Sequence, residues 1–437
     1  MQRGEFKKRR RQLMRLMGRN TIAIIPAAPV AVRNRDVEYV YRPDSDFFYL
    51  TGLAEPEAVL VLIPGRKAAE YIIFCRERDP EKEIWVGKRA GLEGAVEAFG
   101  ADDAFPMADM EDILPGLIEN RQRIYTAMGN NPELDQSIGA WVKAIRANAR
   151  AGVKAPLEFV DLDHLLHDLR LFKSRPEIAL MRRAAKLSAQ AHCHLMATCR
   201  VGMTEYQLAS EFSYFCQQKG AVEQAYPSIV GGGKNACVLH YIENQDTLAD
   251  GDLVLIDAGC EVECYASDIT RTFPVNGVFS EPQKALYELV LKAQLAAIDK
   301  VEPGVEWETL HKTAVRVITK GLVELGLLKG QVNKLIKDAA YKKYFMHRTG
   351  HWLGMDVHDV GDYKVGEASR VLEAGMVLTV EPGIYVQPGL TGVAKKWEGI
   401  GIRIEDDVLV TEQGHDVLSK DVPKSVADIE ALMQTSC

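Results

Sequence analysis

Two segments of the chain echo one another, and that echo limits the folds open to it. Gly251-Asp252-Leu253-Val254-Leu255-Ile256-Asp257 and Gly375-Met376-Val377-Leu378-Thr379-Val380-Glu381 each run from a turn glycine through five mostly apolar residues to a carboxylate. An apolar residue and a histidine precede each run, Leu239-His240 in one case and Val357-His358 in the other. A helical pattern stands upstream of each, at Glu205 to Lys219 and at Trp307 to Leu325. A short apolar run bounded by turn signals reads as a buried strand. The echo therefore predicts two related half-domains of helices and antiparallel strands facing one another.

The echo occupies only the second part of the 437 residues. The earlier part alternates short apolar runs, Ala58 to Ile63 and Tyr71 to Phe74, with helical segments; Met107 to Leu114 reads as a short helix stopped by Pro115-Gly116, and Arg123 to Thr126 as a further strand. At Ser174 the texture changes: Ser174 and Glu177 form a capping box with Pro176 in the first turn, and Ile178, Met181, Ala185 and Ser188 mark one face of a long helix. The predicted organisation is thus a mixed α/β domain over residues 1–170 and an α+β domain over 171–437.

Sixty-one acidic residues against 53 Lys and Arg leave a net charge of -8, which builds in no general attraction to nucleic acid or to an anionic membrane. A small or peptidic substrate is the better default. No apolar stretch is long enough to span a bilayer. The basic run Lys7 to Arg11 followed by the apolar Thr21 to Val32 imitates a signal peptide, but Pro26 and Pro29 interrupt it and Phe6, Leu13, Leu16 and Met17 form a helical stripe. The segment is expected to be a helix with a solvated basic face feeding a first buried strand. The eight cysteines, Cys437 among them, show no CxxC spacing and read as reduced, mostly buried thiols of a cytoplasmic protein.

The chemistry is concentrated in the second part. Asp257 closes an apolar strand, and Asp268 follows eleven residues later, across a stretch with the character of a bend between adjacent strands. Two carboxylates brought together in a poorly solvated site need a cation, or one must hold a proton. His351 lies in a glycine-flanked stretch, Glu381 is held at a strand end by Pro382-Gly383, and alternation in Gly401-Ile402-Arg403-Ile404-Glu405 puts Arg403 and Glu405 on one face. Four carboxylates and one imidazole suffice for two divalent ions, manganese being favoured by the oxygen-rich set, with cobalt, iron or zinc as alternatives. Taken singly, each has a plainer reading: a turn cap for Asp257, a hairpin aspartate for Asp268, a loop histidine for His351, solvated strand-end acids for Glu381 and Glu405, and core histidines for His240 and His358. Gly231-Gly232-Gly233-Lys234 lacks the spacing of a phosphate loop.

These stretches, with Ile229 to His240, Asp268 to Pro274, His351 to Gly361, Leu378 to Tyr385 and Gly401 to Asp407, resemble the proline-specific members of the creatinase-like, or pita-bread, metallopeptidases, the aminopeptidase P group in particular. The early part is similar as well, in Asp46 to Gly52, Glu55 to Leu62 and Glu83-Ile84-Trp85. The resemblance implies a pita-bread catalytic domain with two pseudo-symmetric halves behind the N-terminal α/β domain. It implies hydrolysis of the bond between an N-terminal residue and a following proline by a hydroxide bridging two metal ions. Asp257 would bind one ion, Asp268 and Glu405 would bridge both, and His351 and Glu381 would complete the second. Glu381 would also help move protons, while His240 and His358 would stabilise the carbonyl oxygen and hold the substrate. Arg403 would orient the metal-binding carboxylates. Substrate would be met by His347 and Tyr385, and by Trp85 lent to a neighbouring subunit of a homodimer or homotetramer. Arg348-Thr349 departs from the small or apolar residues usual between the paired histidines of such enzymes and bears on preference around the proline. The same ligands would also serve a prolidase restricted to Xaa-Pro dipeptides, and the fold also carries non-catalytic binding proteins.

Overall fold

In the computed structural model, which describes Met1 and residues 3–434, the chain divides into two compact units, residues 1–169 and Arg170 onward. The first is built on a mixed sheet. Its strands lie in the order Asp103–Pro106, Tyr71–Cys75, Val59–Leu62, Thr21–Pro26, Arg123–Thr126, Glu158–Asp161 among the described residues. The three pairings on the outer sides of Tyr71–Cys75 and Thr21–Pro26 are parallel; the two between them are antiparallel. One face presents Ile22, Ile24, Val59, Val61, Ile72 and Phe74, the period-two set of a strand, to the helices Met110–Ile118 and Pro132–Ala147.

Two local expectations fail in this unit. The helix Met110–Ile118 runs through Pro115 and Gly116, because Leu114, Leu117 and Ile118 all bury against the sheet and outweigh the missing amide hydrogen. The basic face of the first helix, Arg3–Met17, is not wholly solvated: Arg9 and Arg10 are buried. Their guanidiniums donate to the carbonyls of Tyr49 and Leu50 at 3.0 and 2.6 Å, at the end of the helix Ser45–Thr51, and lie over the rings of Tyr49 and Tyr71. Cations there meet both the free carbonyls of a helix C-terminus and an aromatic face.

The second unit realises the echo. Leu253–Asp257 is the centre of an antiparallel sheet with Ile229–Gly232 and Thr270–Pro274, and Asp257 stands opposite Thr270. Val377–Val380 pairs antiparallel with Asp406–Thr411, Val380 opposite Asp406. Leu253–Asp257 thus ends in a carboxylate and Val377–Val380 stops just before one, Glu381, while the partner strands begin shortly after Asp268 in one half and Glu405 in the other. Gly251 and Gly375 adopt φ of 85° and 97°, the left-handed turn that a side chain would strain. Backbone and side chains join the halves: Glu405 N–H donates to Thr270 O at 3.1 Å, the Thr272 hydroxyl donates to Arg403 O at 3.0 Å, and Arg403 N–H donates back to Thr272 Oγ1 at 3.2 Å. The upstream helices are Glu205–Gln218 and Trp307–Glu324. At the head of Arg175–Thr198, Ser174 N–H donates to Glu177 at 2.9 Å.

The seven described cysteines are free thiols, five of them buried; Cys437 lies outside the described residues. No helix among the described residues is long and apolar enough to cross a membrane.

Candidate metal centre

Where the two halves meet, Asp257, Asp268, His351, Glu381 and Glu405 line one cavity of about 640 Å³. One ligand atom from each of Asp268, His351 and Glu405 can be chosen so that all lie within 4.8 Å of one another. Asp268 Oδ2 is 3.4 Å from His351 Nε2, and Glu381 Oε1 is 3.8 Å from the same nitrogen. Asp257, Asp268, Glu381 and Glu405 sit at or beside strand ends, and His351 sits in the irregular stretch just before the bridge of Trp352 to Leu378. Glu381 N–H donates to Thr349 O at 2.8 Å, and Asp268 N–H to the Asp407 carboxylate at 3.1 Å. His351 Nδ1 lies 2.9 Å from the Trp352 carbonyl; donating there, it leaves Nε2 free to face the acids.

The electrostatics ask for cations. Burial raises the carboxyls of Asp257 and Glu405, in each case with a contribution from neighbouring acids, and raises Glu381 to about 7. Burial acts in the same sense on Asp268, but its hydrogen bond to His351 overrides it and holds this acid below the ordinary range. Burial opposes charge on His351 too, yet the hydrogen bond to Asp268 and the nearby Glu381 lift it to about 9. Carboxylates packed this closely are tolerated only with protons or metal between them. Tyr226 makes the point in atoms. Its hydroxyl lies 2.6 Å from Asp257 Oδ1 and 2.5 Å from Asp268 Oδ1, and it has one proton for two acceptors. Four oxygen donors and one imidazole, with second partners already in place, fit a pair of divalent cations.

A hydrogen-bonded chain runs behind the ligands. Arg403, buried, bonds Asp257 Oδ2 through Nη2 at 2.6 Å, Thr270 Oγ1 through Nε at 3.2 Å and the Tyr385 hydroxyl through Nη1 at 2.9 Å. Tyr385 donates in turn to His347 Nε2 at 2.9 Å, and His347 Nδ1–H to Arg348 O at 2.6 Å. This direction requires a neutral His347, and burial, helped by Arg403, lowers it to about 3. The strand carrying Arg403 stops there, at Ile400–Arg403, and a new one begins at Asp406, yet Arg403 and Glu405 both reach the cavity as alternation predicts.

His240, His347 and His358 also line the cavity, the ring of His358 lying edge-on to His351 with centroids 4.3 Å apart. Tyr385 is fully buried and hydrogen-bonded to Arg403 and His347, which line the cavity. Trp85 sits in the first unit on the helix Pro80–Val86, 87% exposed. Tyr226, Thr270 and Asp407 were not singled out from the sequence. For Thr270 a signal existed, since alternation in Asp268-Ile269-Thr270 puts it on the face of Asp268, and its hydroxyl donates to Glu405 Oε2 at 2.5 Å. Tyr226 precedes a strand in an irregular segment and left no periodic trace.

Two pseudo-symmetric halves closing over a carboxylate-rich pair of cation sites define a dinuclear metallohydrolase. Residues 179–412 match the description "Metallopeptidase family M24", and residues 6–125 match "Aminopeptidase P, N-terminal domain". The chain belongs to metallopeptidase family M24, in its pita-bread, aminopeptidase P branch. It is 44% identical to the Xaa-Pro aminopeptidase of Escherichia coli K12 over 99% of this chain and 98% of that one. Among solved structures it is similar to Pseudomonas aeruginosa aminopeptidase PepP, with TM-score 0.99 and 60% identity over 100% of this chain and 99% of that one. Proline aminopeptidase P II from Yersinia pestis is similar too, at TM-score 0.96 and 46% identity, both chains being fully covered.

Proposed function

We propose that the protein is a metal-dependent aminopeptidase that hydrolyses the bond between an N-terminal residue and a following proline. The observation that carries this is the convergence of Asp257, Asp268, His351, Glu381 and Glu405 in one cavity between the halves. These five residues would hold two divalent ions, manganese suiting the oxygen-rich set best. When bound, the ions supply Lewis acidity, polarising a carbonyl and lowering the pKa of water.

The chain's own residues do the rest. Asp268 and Glu405, coming from opposite halves, would help hold both ions, together with Asp257, His351 and Glu381. Glu381 takes a proton from the attacking water and returns it to the proline nitrogen. His240 and His358 stand at the cavity wall where a carbonyl oxygen gaining negative charge needs donors. Neutral His347, fixed by Tyr385, offers an apolar ring face to the substrate's pyrrolidine, so Tyr385 acts through it. An Xaa-Pro bond has no amide hydrogen, and a site that relies on metal and carboxylates requires none. Exposed Trp85 is available to a second copy of the chain in a homodimer or homotetramer, and a cytoplasmic setting suits the free thiols.

The test is cleavage of Arg-Pro-Pro, Arg-Pro and Met-Ala-Ser by protein reconstituted with Mn2+, beside a chelated control. Metal-dependent arginine release much faster from the tripeptide is expected. Preference for Arg-Pro would assign a dipeptidase instead, and silence on all three from a fully metallated sample would overturn the reading.

A further inference from the structure

A second cavity, of about 750 Å³, adjoins the reaction cavity, and Glu308, His347 and Arg348 line both. Its far side is cationic. Lys312 and Arg316 project from the helix Trp307–Glu324 one turn and two turns beyond Glu308, so the three share a face, and Lys342 comes from the short turn Ala340–Lys343. Among the described residues Glu308 is the only acid in the lining, and Arg348 engages it, through two guanidinium nitrogens at 2.9 and 3.3 Å. The field is felt at His311, which burial first and then Arg348 and Lys342 keep from charging.

The Glu308–Arg348 pair stands at the shared wall, and it is a weak barrier. Arg348 is mostly exposed, and exposed ion pairs contribute little. A carboxylate arriving along the wall finds Arg348 able to change partners and three further cations with no acid of the lining committed to them. We propose, on the reading of the site given above, that this cavity is a subsite for the downstream part of the peptide. It selects a carboxylate, carried by an acidic side chain or by the substrate's own C-terminus, beyond the proline. The chain then discriminates among Xaa-Pro peptides by the charge they carry downstream of the scissile bond, and does so through KM, since the contact is made equally in ground and transition states.

The experiment uses the manganese-reconstituted full chain and pentapeptides beginning Ala-Pro: an all-neutral C-terminal amide, amides with Asp at the third, fourth or fifth position, and the neutral sequence as a free acid. One Asp register or the free acid is expected to be cleaved roughly three- to fivefold better in kcat/KM at low ionic strength, with the gain fading in salt. The gain should vanish in Lys312→Glu/Lys342→Glu, while that variant cleaves the neutral amide as the wild type does. A gain confined to an Asp amide identifies the side chain as the source; a gain confined to the free acid identifies the terminus. Equal rates across the series, with the neutral amide cleaved, would overturn the subsite alone. Failure to cleave even the neutral amide would instead overturn the activity itself.

Discussion

Arg403 and Asp257, contributed by opposite halves of the second unit, form a buried ion pair with Nη2 2.6 Å from Oδ2. The same guanidinium holds Tyr385 and Thr270 in two further directions, which a lysine ammonium on a flexible stem cannot reproduce. Arg403→Lys keeps the charge and loses the geometry. It is expected to lower kcat/KM on an Xaa-Pro tripeptide by about 10- to 100-fold, the usual effect of removing a residue that orients metal ligands. Steady-state kinetics with metal content measured on the same sample checks this; full activity at full occupancy would contradict the positioning role.

Tyr226 offers a cleaner perturbation, because Tyr226→Phe removes one oxygen and little volume. Asp257 and Asp268 lose the donor between them, and the loss should appear as about tenfold weaker retention of metal against a chelator. Far-ultraviolet circular dichroism should be unchanged. If retention is as in the wild type, the hydroxyl does not help set the ligand geometry.

His192, packed against the backbone that follows Asp257, links stability to pH. It is fully buried with Nε2 2.9 Å from the Ala258 carbonyl, and burial lowers it from 6.5 to about 4. Unfolded chains bind the proton that the native state refuses, so between those values the unfolded state holds more protons and stability rises with pH. The contribution is complete above 6.5 and falls progressively to about 4, by about 3 kcal/mol in all. Urea unfolding of wild type and His192→Gln, compared pairwise from about pH 7.5 to about 4.5, should show the wild type losing ground as pH drops. A constant difference would exclude His192 as the source.

What was legible in the sequence was what short range dictates. The turn glycines at 251 and 375, the apolar runs behind them and their terminal carboxylates are local, and the two strands form where they were expected. The helix after Ser174 likewise starts at its cap, and Glu205–Gln218 forms where the helical pattern stood. Arg9 and Arg10 defeated the reading because their partners lie 40 residues away, in carbonyls no spacing rule connects to them. Pro115 marks a helix stop by propensity, and burial of Leu117 and Ile118 carried the helix past it. Tyr385, expected to meet substrate, is fully buried, and its hydrogen bonds to His347 and Arg403 join residues that no spacing rule connects.

The division of the ligands between halves also has a consequence for timing. Asp257 and Asp268 are made first, His351, Glu381 and Glu405 long after, and Glu405 takes its place only against the Thr270 carbonyl of the earlier half. A nascent chain or a nicked fragment holding one half carries too few donors to assemble both cation sites. Activity therefore waits for the last-made strands, and separated halves are expected to regain it only on reassociation.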